Sequence, residues 1–176
     1  MLETKRLLLR LLNEQDENDI VKWRNQKDII NSLFSYKGVT ITEHRQWFDK
    51  YSRDDTRIEY VICKKEDGKK IGTIGLSSID HKNQKAEYGI LIGEAQEQKK
   101  GFALEASYTL LKYAFYDLNL HKIKLHVFTD NNIAINLYKR LGFKEEGTLH
   151  QEIYKNSGFK DVLVMGLLKE EWVGHD

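Results

Sequence analysis

Apolar and polar residues alternate at the start of the chain. In Arg6-Leu7-Leu8-Leu9-Arg10-Leu11-Leu12, one face takes Leu7, Leu9 and Leu11 and the other Arg6, Leu8 and Arg10, which is the period of a strand. Asn13 and Asp16 are helix-start residues ahead of a segment in which Ile20 and Trp23 or Arg24 fall on one side, so a short helix is expected next. Thr40 and Glu43 have the spacing of a capping box in front of His44, Trp47, Phe48 and Tyr51. A second helix is predicted there, with those four side chains on one face. The stretch between the helices, around Tyr36 and Gly38, reads as a loop.

Tyr60 to Cys63 is β-rich and ends at Glu66-Asp67-Gly68, after which Ile71 to Leu76 resumes; Asp-Gly between two such runs is a hairpin signal. Ala86 to Ile92 follows a polar turn and completes an antiparallel meander. From Leu104 to Leu118 the spacing becomes helical, with Leu104, Leu111 and Phe115, and Ala106, Leu110 and Ala114, in rows. Lys122 to Phe128 alternates as a strand. Ile133, Leu137 and Leu141 then predict a helix that Gly142 ends. Two last alternating runs, 149–154 and 162–167, flank Asn156-Ser157-Gly158 as a second hairpin. The order β-α-α-β-β-β-α-β-α-β-β is that of an α+β domain with a mixed sheet of six to seven strands and about four helices, residues 1–176 forming a single domain.

Composition narrows the function classes. Lys and Arg number 28 against 27 Asp and Glu, a net charge of +1, so no global field draws the chain to nucleic acid or an anionic membrane, and any anion site must be local. The single cysteine, Cys63, excludes an internal disulfide and a zinc-ribbon pattern, and no metal is expected. Without an apolar leader or a run near the ~18 residues of a membrane helix, a soluble cytoplasmic protein is expected.

The junction Gln98-Lys99-Lys100-Gly101-Phe102-Ala103, between a strand and the long helix, carries the first chemical signal. Unpaired N–H groups and the positive end of the macrodipole favour a phosphate at a helix start, and Gly101 lacks a Cβ that would keep a ligand from the backbone. Spacing alone leaves open an exposed basic turn that only reverses the chain.

Gln98-x-x-Gly101-x-Ala103 before a long helix, followed by Asn131-x-x-Ala134-x-x-Leu137-Tyr138-x-x-Leu141-Gly142-Phe143, resembles the GNAT superfamily of acetyl-CoA-dependent N-acetyltransferases over essentially the whole chain. Thr4-Lys5-Arg6-Leu7-x-Leu9-Arg10, Gly142-Phe143-x-x-Glu146-Gly147 and Gly158-x-x-Asp161 resemble its ribosomal-protein N-terminal acetyltransferase-like branch. Trp23-Arg24-Asn25 and His44-x-x-Trp47-Phe48 look more like the nucleotide-sugar N-acetyltransferases of pseudaminic acid biosynthesis.

The resemblance implies that backbone amides from Lys99 through Lys100, Gly101 and Phe102 to Ala103 hold the CoA pyrophosphate, with Gln98 bracing the loop. Strands 86–92 and 123–128 would splay, and the pantetheine arm would pair with Ile90, Leu91 and Ile92 like an added strand. Asn131 is carried over as a further cofactor contact. One departure is Lys99, where the common pattern has glycine; a positive φ there would cost a lysine about 1 kcal/mol. The implied reaction is direct attack of a neutral amine on the thioester through a tetrahedral intermediate. Tyr138 stands at the position of the general acid that protonates the departing sulfur, although an amphipathic helix also buries such a tyrosine for packing. Glu87 is the base candidate, because alternation places its carboxylate beside the acyl site; a solvated strand carboxylate is the plainer reading.

For the acceptor, Trp23, Arg24, Asn25, Tyr36, His44, Trp47 and Phe48 suit a deoxysugar, a uracil ring and a diphosphate, while Trp23, Trp47 and Phe48 also fit a core. Tyr154, Trp172, His121 and His126 are read as structural. The expected acceptor is the 4-amino group of a UDP-linked amino-deoxysugar. The alternatives are a protein N-terminus of the ribosomal type, an antibiotic or a polyamine, and, from another class, a sensor that binds CoA without turnover. A homodimer is compatible with all of these.

Overall fold

The computed structural model describes residues 1–174. Leu7 and Leu9 are fully buried in a strand that pairs with a two-residue strand before it, which gives β1 (Leu2–Glu3) and β2 (Leu7–Leu11). Leu11 is 53% exposed, so the buried face of β2 is one residue shorter than its pattern. The expected meander follows as β3 (Ile58–Lys64), β4 (Lys70–Asp80) and β5 (Lys85–Ile92), all antiparallel. Beyond it lie β6 (Lys122–Phe128), β7 (Lys144–Lys155) and β8 (Gly158–Leu168). These eight strands form one mixed sheet in the order β1-β2-β3-β4-β5-β6-β8-β7, against an expectation of six to seven. The extra strand, β1, is too short to show alternation and exists through its pairing with Leu8 and Leu9.

The helices are α1 (Glu17–Arg24), α2 (Lys27–Ser32), α3 (Ile41–Tyr51), α4 (Phe102–Lys112) and α5 (Asn132–Arg140). Helix α2 occupies part of the stretch read as loop; six residues without a side-chain cap leave no periodic signal. The capping box of Thr40 and Glu43 opens α3 as expected. Helix α4 runs on into a wider turn at Tyr113–Asp117, which completes the predicted long coil. In α5 the buried row is Ile135 and Tyr138 followed by Leu141, whereas Ile133 is 76% exposed, so the inward face is shifted from the expected one. The main core lies between the sheet and α4 and α5; a second cluster, with Ile20, Trp23, Ile29 and Val61, packs α1 to α3 on the opposite face.

One feature of the sheet prepares a site. Strands β5 and β6 are parallel and pair only at Lys85, Ala86 and Glu87, whereas β4 follows β5 up to Ile92 and β8 follows β6 up to Phe128. From Tyr88 onward one edge of β5 is therefore unpaired. The Tyr88 ring meets Tyr138 of α5 at 5.9 Å and Phe143 at 5.8 Å where the strands part.

Two local arrangements position what surrounds this gap. Asp16, fully buried before α1, accepts from Arg10 at 2.7 and 2.9 Å and from the Asn13 N–H at 3.0 Å, and pairs with Lys70 at 2.8 Å. Burial pulls its carboxyl upward, but the Arg10, Lys70 and Asn13 hydrogen bonds outweigh that and hold it at about 2. Before α4 the backbone turns left-handed at Lys99 (φ +61°) and again at Gly101 (φ +81°). Glycine carries the second turn without strain; lysine does not carry the first so freely.

Two predictions follow from these arrangements. The depressed Asp16 pKa implies roughly 2 kcal/mol of stability that is present above pH about 4 and lost as pH falls through about 2. In urea titrations, Asp16→Asn should lose about 2–3 kcal/mol at neutral pH and flatten that acid limb; an unchanged limb would assign it to other carboxylates. Lys99→Gly should raise the unfolding free energy by roughly 0.5–1 kcal/mol, and a loss instead would mean that the lysine stem contributes more than its backbone costs.

Candidate active site

The gap opens on one face of the sheet into a cavity of about 500 Å³ between β3–β5 and helices α1 and α3. Register decides what reaches it. Glu59, Gly75 and Gly89 form one cross-strand row, and Ser77, Glu87 and Lys124 form the next. A Cβ on Gly89 would point into open space, so the floor of the cavity is bare backbone there. Leu33, Phe34 and Val39 wall the far side. That loop is tied down by the buried Lys155, whose ammonium donates to the carbonyls of Ile30, Leu33 and Ser35.

On the opposite side of the gap stands Tyr138. Burial pushes its phenol up to about 12, and its hydroxyl has no protein hydrogen bond among the described residues. Its rotamer is held by aromatic contacts with Tyr88 and Phe143.

The junction after β5 has the geometry of an anion cradle. The first N–H groups of α4 lack intrahelical partners and point out of its start. Gln98 donates from Nε2 to the Ile92 carbonyl at 3.1 Å, tying the loop to the end of β5. Lys100 pairs with the buried Glu97 at 2.9 Å, and Lys69 approaches the same carboxylate at 3.3 Å. Arg6 brings a further cation: its guanidinium lies 4.4 Å from the Phe102 ring centre and donates to the Lys100 carbonyl at 3.1 Å and to Glu105 at 2.6 Å. A Cβ on Gly101 would stand 3.4 Å from Arg6 Nη2, closing the space between that cation and the loop. The unpaired edge from Tyr88 to Ile92 and this cradle therefore fit an extended amide chain ending in a diphosphate. Asn131 caps α5, accepting from the Ala134 N–H at 3.3 Å, so its side chain already has a structural partner.

The acceptor residues expected from sequence divide. Arg24, His44 and Trp47 line the cavity, together with Glu87, Ile90 and Leu91. Trp23 does not: it is fully buried against Gly93 and donates to Glu94 at 2.8 Å, so it packs α1 onto the sheet. Asn25 exchanges two hydrogen bonds of 2.8 Å with the Val39 backbone and acts as a latch on the loop. Tyr36 is 83% exposed and stands off the cavity, and Phe48 packs with Tyr51 in the second core cluster. His44 is 4% exposed and stacks on Trp47 at 5.4 Å; its Nε2 is buried without a partner, and burial lowers its pKa.

Among the lining residues outside the expected set are Arg57, Glu59 and His126. His126 was read as structural, yet its Nδ1 lies 3.9 Å from the Glu87 carboxylate, which Lys124 engages at 3.1 Å. Glu59 lines the cavity among densely packed protein, and that burial pushes its carboxyl up to about 7 despite the nearby charges of Arg57 and Arg24. Arg24 keeps solvent contact through the cavity while dense surroundings lower its pKa, opposed by Glu59. A signal for Glu59 existed: it shares strand parity with Val61 and Cys63, which are buried.

Comparison with known proteins agrees with this geometry. Residues 6–144 match the family model of the acetyltransferase (GNAT) domain. A spermidine N(1)-acetyltransferase of Vibrio cholerae is 34% identical over 169 residues, covering 95% of each chain. The crystal structure of spermidine N-acetyltransferase from Vibrio cholerae in complex with CoA and spermine superposes with a TM-score of 0.89 at 32% identity, covering 96% of this chain and 98% of the other. The acetyltransferase PseH of Campylobacter jejuni is 31% identical over 132 residues, 75% of this chain and 79% of that one. This chain belongs to the GNAT acetyltransferase family and is an acyltransferase that uses acetyl-CoA.

Proposed function

We propose that the protein acetylates the primary amine of a small molecule whose other end is anionic and carries a ring, and that a UDP-linked 4-amino-deoxysugar is this acceptor. The observation that carries the reading is the pair Arg24 and Arg57 on the cavity wall, with Trp47 beside them. Guanidinium groups suit a diphosphate and the indole suits a base or deoxysugar face.

A polyamine is the second reading, supported by the spermidine-acetylating relatives and by the carboxylates Glu59 and Glu87 in the cavity. The arginines oppose it: a cation about 6 Å from a guanidinium is repelled by about 3 kcal/mol at an effective dielectric of 20. A peptide N-terminus would call for an open acidic groove, which this walled cavity does not offer.

Acetyl-CoA supplies the thioester carbonyl that the amine attacks and the sulfur that departs. Backbone amides from Lys99 to Ala103 hold its diphosphate, with Gln98 and Arg6 fixing the loop. Edge groups of Ile90 to Ile92 align the amide arm. Tyr138 remains protonated throughout the neutral range and gives its proton to the departing sulfur, and the proton that nitrogen loses as the amide forms restores the balance. Glu87, engaged by Lys124, helps line the mouth of the acceptor cavity.

Three outcomes are expected. With acetyl-CoA, thiol release should be faster with UDP-4-amino-4,6-dideoxy-N-acetyl-altrosamine than with spermidine; the reverse order would establish the polyamine reading. Arg24→Met should raise KM for the nucleotide sugar about tenfold or more and leave spermidine unaffected or improved. Tyr138→Phe should lower kcat by about 100-fold while acetyl-CoA still binds by calorimetry; near-normal turnover would remove Tyr138 as the acid.

A further inference from the structure

The geometry points to Glu59, rather than Glu87, as the group that takes the proton from the acceptor's ammonium before transfer. The inference rests on the acyl-transfer reading above and assigns the base within that site.

Three observations place the Glu59 carboxylate for this task. First, its side chain lies across β4 instead of pointing away from its own strand: Oε2 falls 2.4 Å and Cδ 2.7 Å from where a Cβ on Gly75 would stand. Only glycine at position 75 leaves that path open. Second, Gly75 pairs with Gly89, whose own Cβ direction is open space, so no β5 side chain covers the sheet at that register. Third, the carboxylate has no hydrogen-bond or ion-pair partner among the described residues, while the rest of Glu59 is pinned. Its N–H donates to the Tyr51 hydroxyl at 3.2 Å, and its carbonyl accepts from Leu12 N–H at 2.9 Å. An unpartnered carboxylate carried on a pinned backbone and open to the cavity is suited to an incoming cation.

Glu87 differs on each count. It sits on β5 itself, at the last residue still paired with β6, and its oxygens face Lys124 at 3.1 Å and His126 at 3.9 Å. A carboxylate already engaged by a lysine is less free to meet an incoming ammonium. The groups around Glu59 are Arg24 from α1, Arg57 from the segment before β3, and Tyr51 and His44 from α3, with Glu87 and His126 across the cavity. The two arginines favour the carboxylate and burial disfavours it; burial prevails and brings its pKa to about 7, near the value at which a base both exists and accepts at neutral pH.

In the step itself, one N–H bond of the ammonium breaks and an O–H bond forms on Glu59, with the electron pair left on nitrogen for attack. Glu59 then passes that proton to water through the cavity mouth. No oxidant or further reactant enters.

The test combines a titration that needs no acceptor with rates that do. In full-length protein saturated with acetyl-CoA and labelled with 13C at glutamate carboxyls, one resonance should titrate near pH 7. It should be missing in Glu59→Gln and present in Glu87→Gln. With the amino-sugar and spermidine as probes, wild-type kcat/KM should fall below pH about 7. In Glu59→Gln, kcat should drop by about 100-fold or more, and the bend should vanish, the rate then following the free-amine fraction up to the amine's own pKa. Glu87→Gln should keep the bend whatever its rate. Glu59→Asp, which withdraws the carboxylate by one methylene, should keep the bend at an intermediate rate and covers the case in which the glutamine variant does not fold. A Glu59 carboxyl that titrates below pH 5, or a bend that survives in Glu59→Gln, overturns the inference. If neither amine releases thiol, the acceptor reading fails, while the carboxyl titration still decides whether Glu59 can take a proton at neutral pH.

Discussion

The parting of β5 from β6 after Glu87 is the constraint on which the rest depends. A parallel pair that continued to Ile92 would satisfy its own backbone and leave nothing for a ligand. Because it stops, one edge of β5 keeps N–H and C=O groups without a strand partner along the half-buried gap, where a ligand can pair with them. The aromatic cluster of Tyr88, Tyr138 and Phe143 fills the space below the opening and keeps it from collapsing. The same gap joins the cavity on the α1–α3 face to the phenol on the α5 side.

Electrostatics in the molecule are local rather than global. A net charge of +1 conceals a basic cluster at the start of α4 and a mixed cavity in which Arg24 and Arg57 face Glu59 and Glu87. At the helix start, Thr4 and Arg6 clamp Glu105, with Thr4 Oγ1 donating at 2.5 Å and Arg6 Nε at 2.6 Å. The turn between β1 and β2 thus holds the cradle in place through a carboxylate that also suits the positive end of the helix. In the cavity, charges of both signs sit near one another without saturating each other, an arrangement that recognises a molecule carrying an amine at one end and an anion at the other.

The acceptor side is assembled from pieces distant in sequence. Asn25 latches Val39, Lys155 binds the end of α2 and the loop beyond it, and the Asp16 cluster anchors the start of α1. None of these touches the reaction gap, yet each fixes a wall of the cavity. Several residues that resemble binding groups in sequence therefore serve the walls: Trp23 packs, Asn25 latches, and only Arg24 between them reaches the interior.

Local pattern alone determined the meander, both hairpins, the long helix, the capped start of α3 and the glycine that ends α5, because each rests on contacts within a few residues. The strand-to-helix junction with Gln98 and Gly101, and the motif containing Tyr138, were likewise readable before any coordinates, since their chemistry depends on backbone at a helix start and on one position of one helix. Strand β1 and helix α2 were not, being too short to carry a period. Nor could the chain reveal that Glu59 leans across β4. That orientation depends on Gly75 and Gly89 coming into register with it, from strands brought together only by folding. Which aromatic residues face the cavity and which face the core was settled in the same way: helical spacing names a face, and packing decides what that face meets.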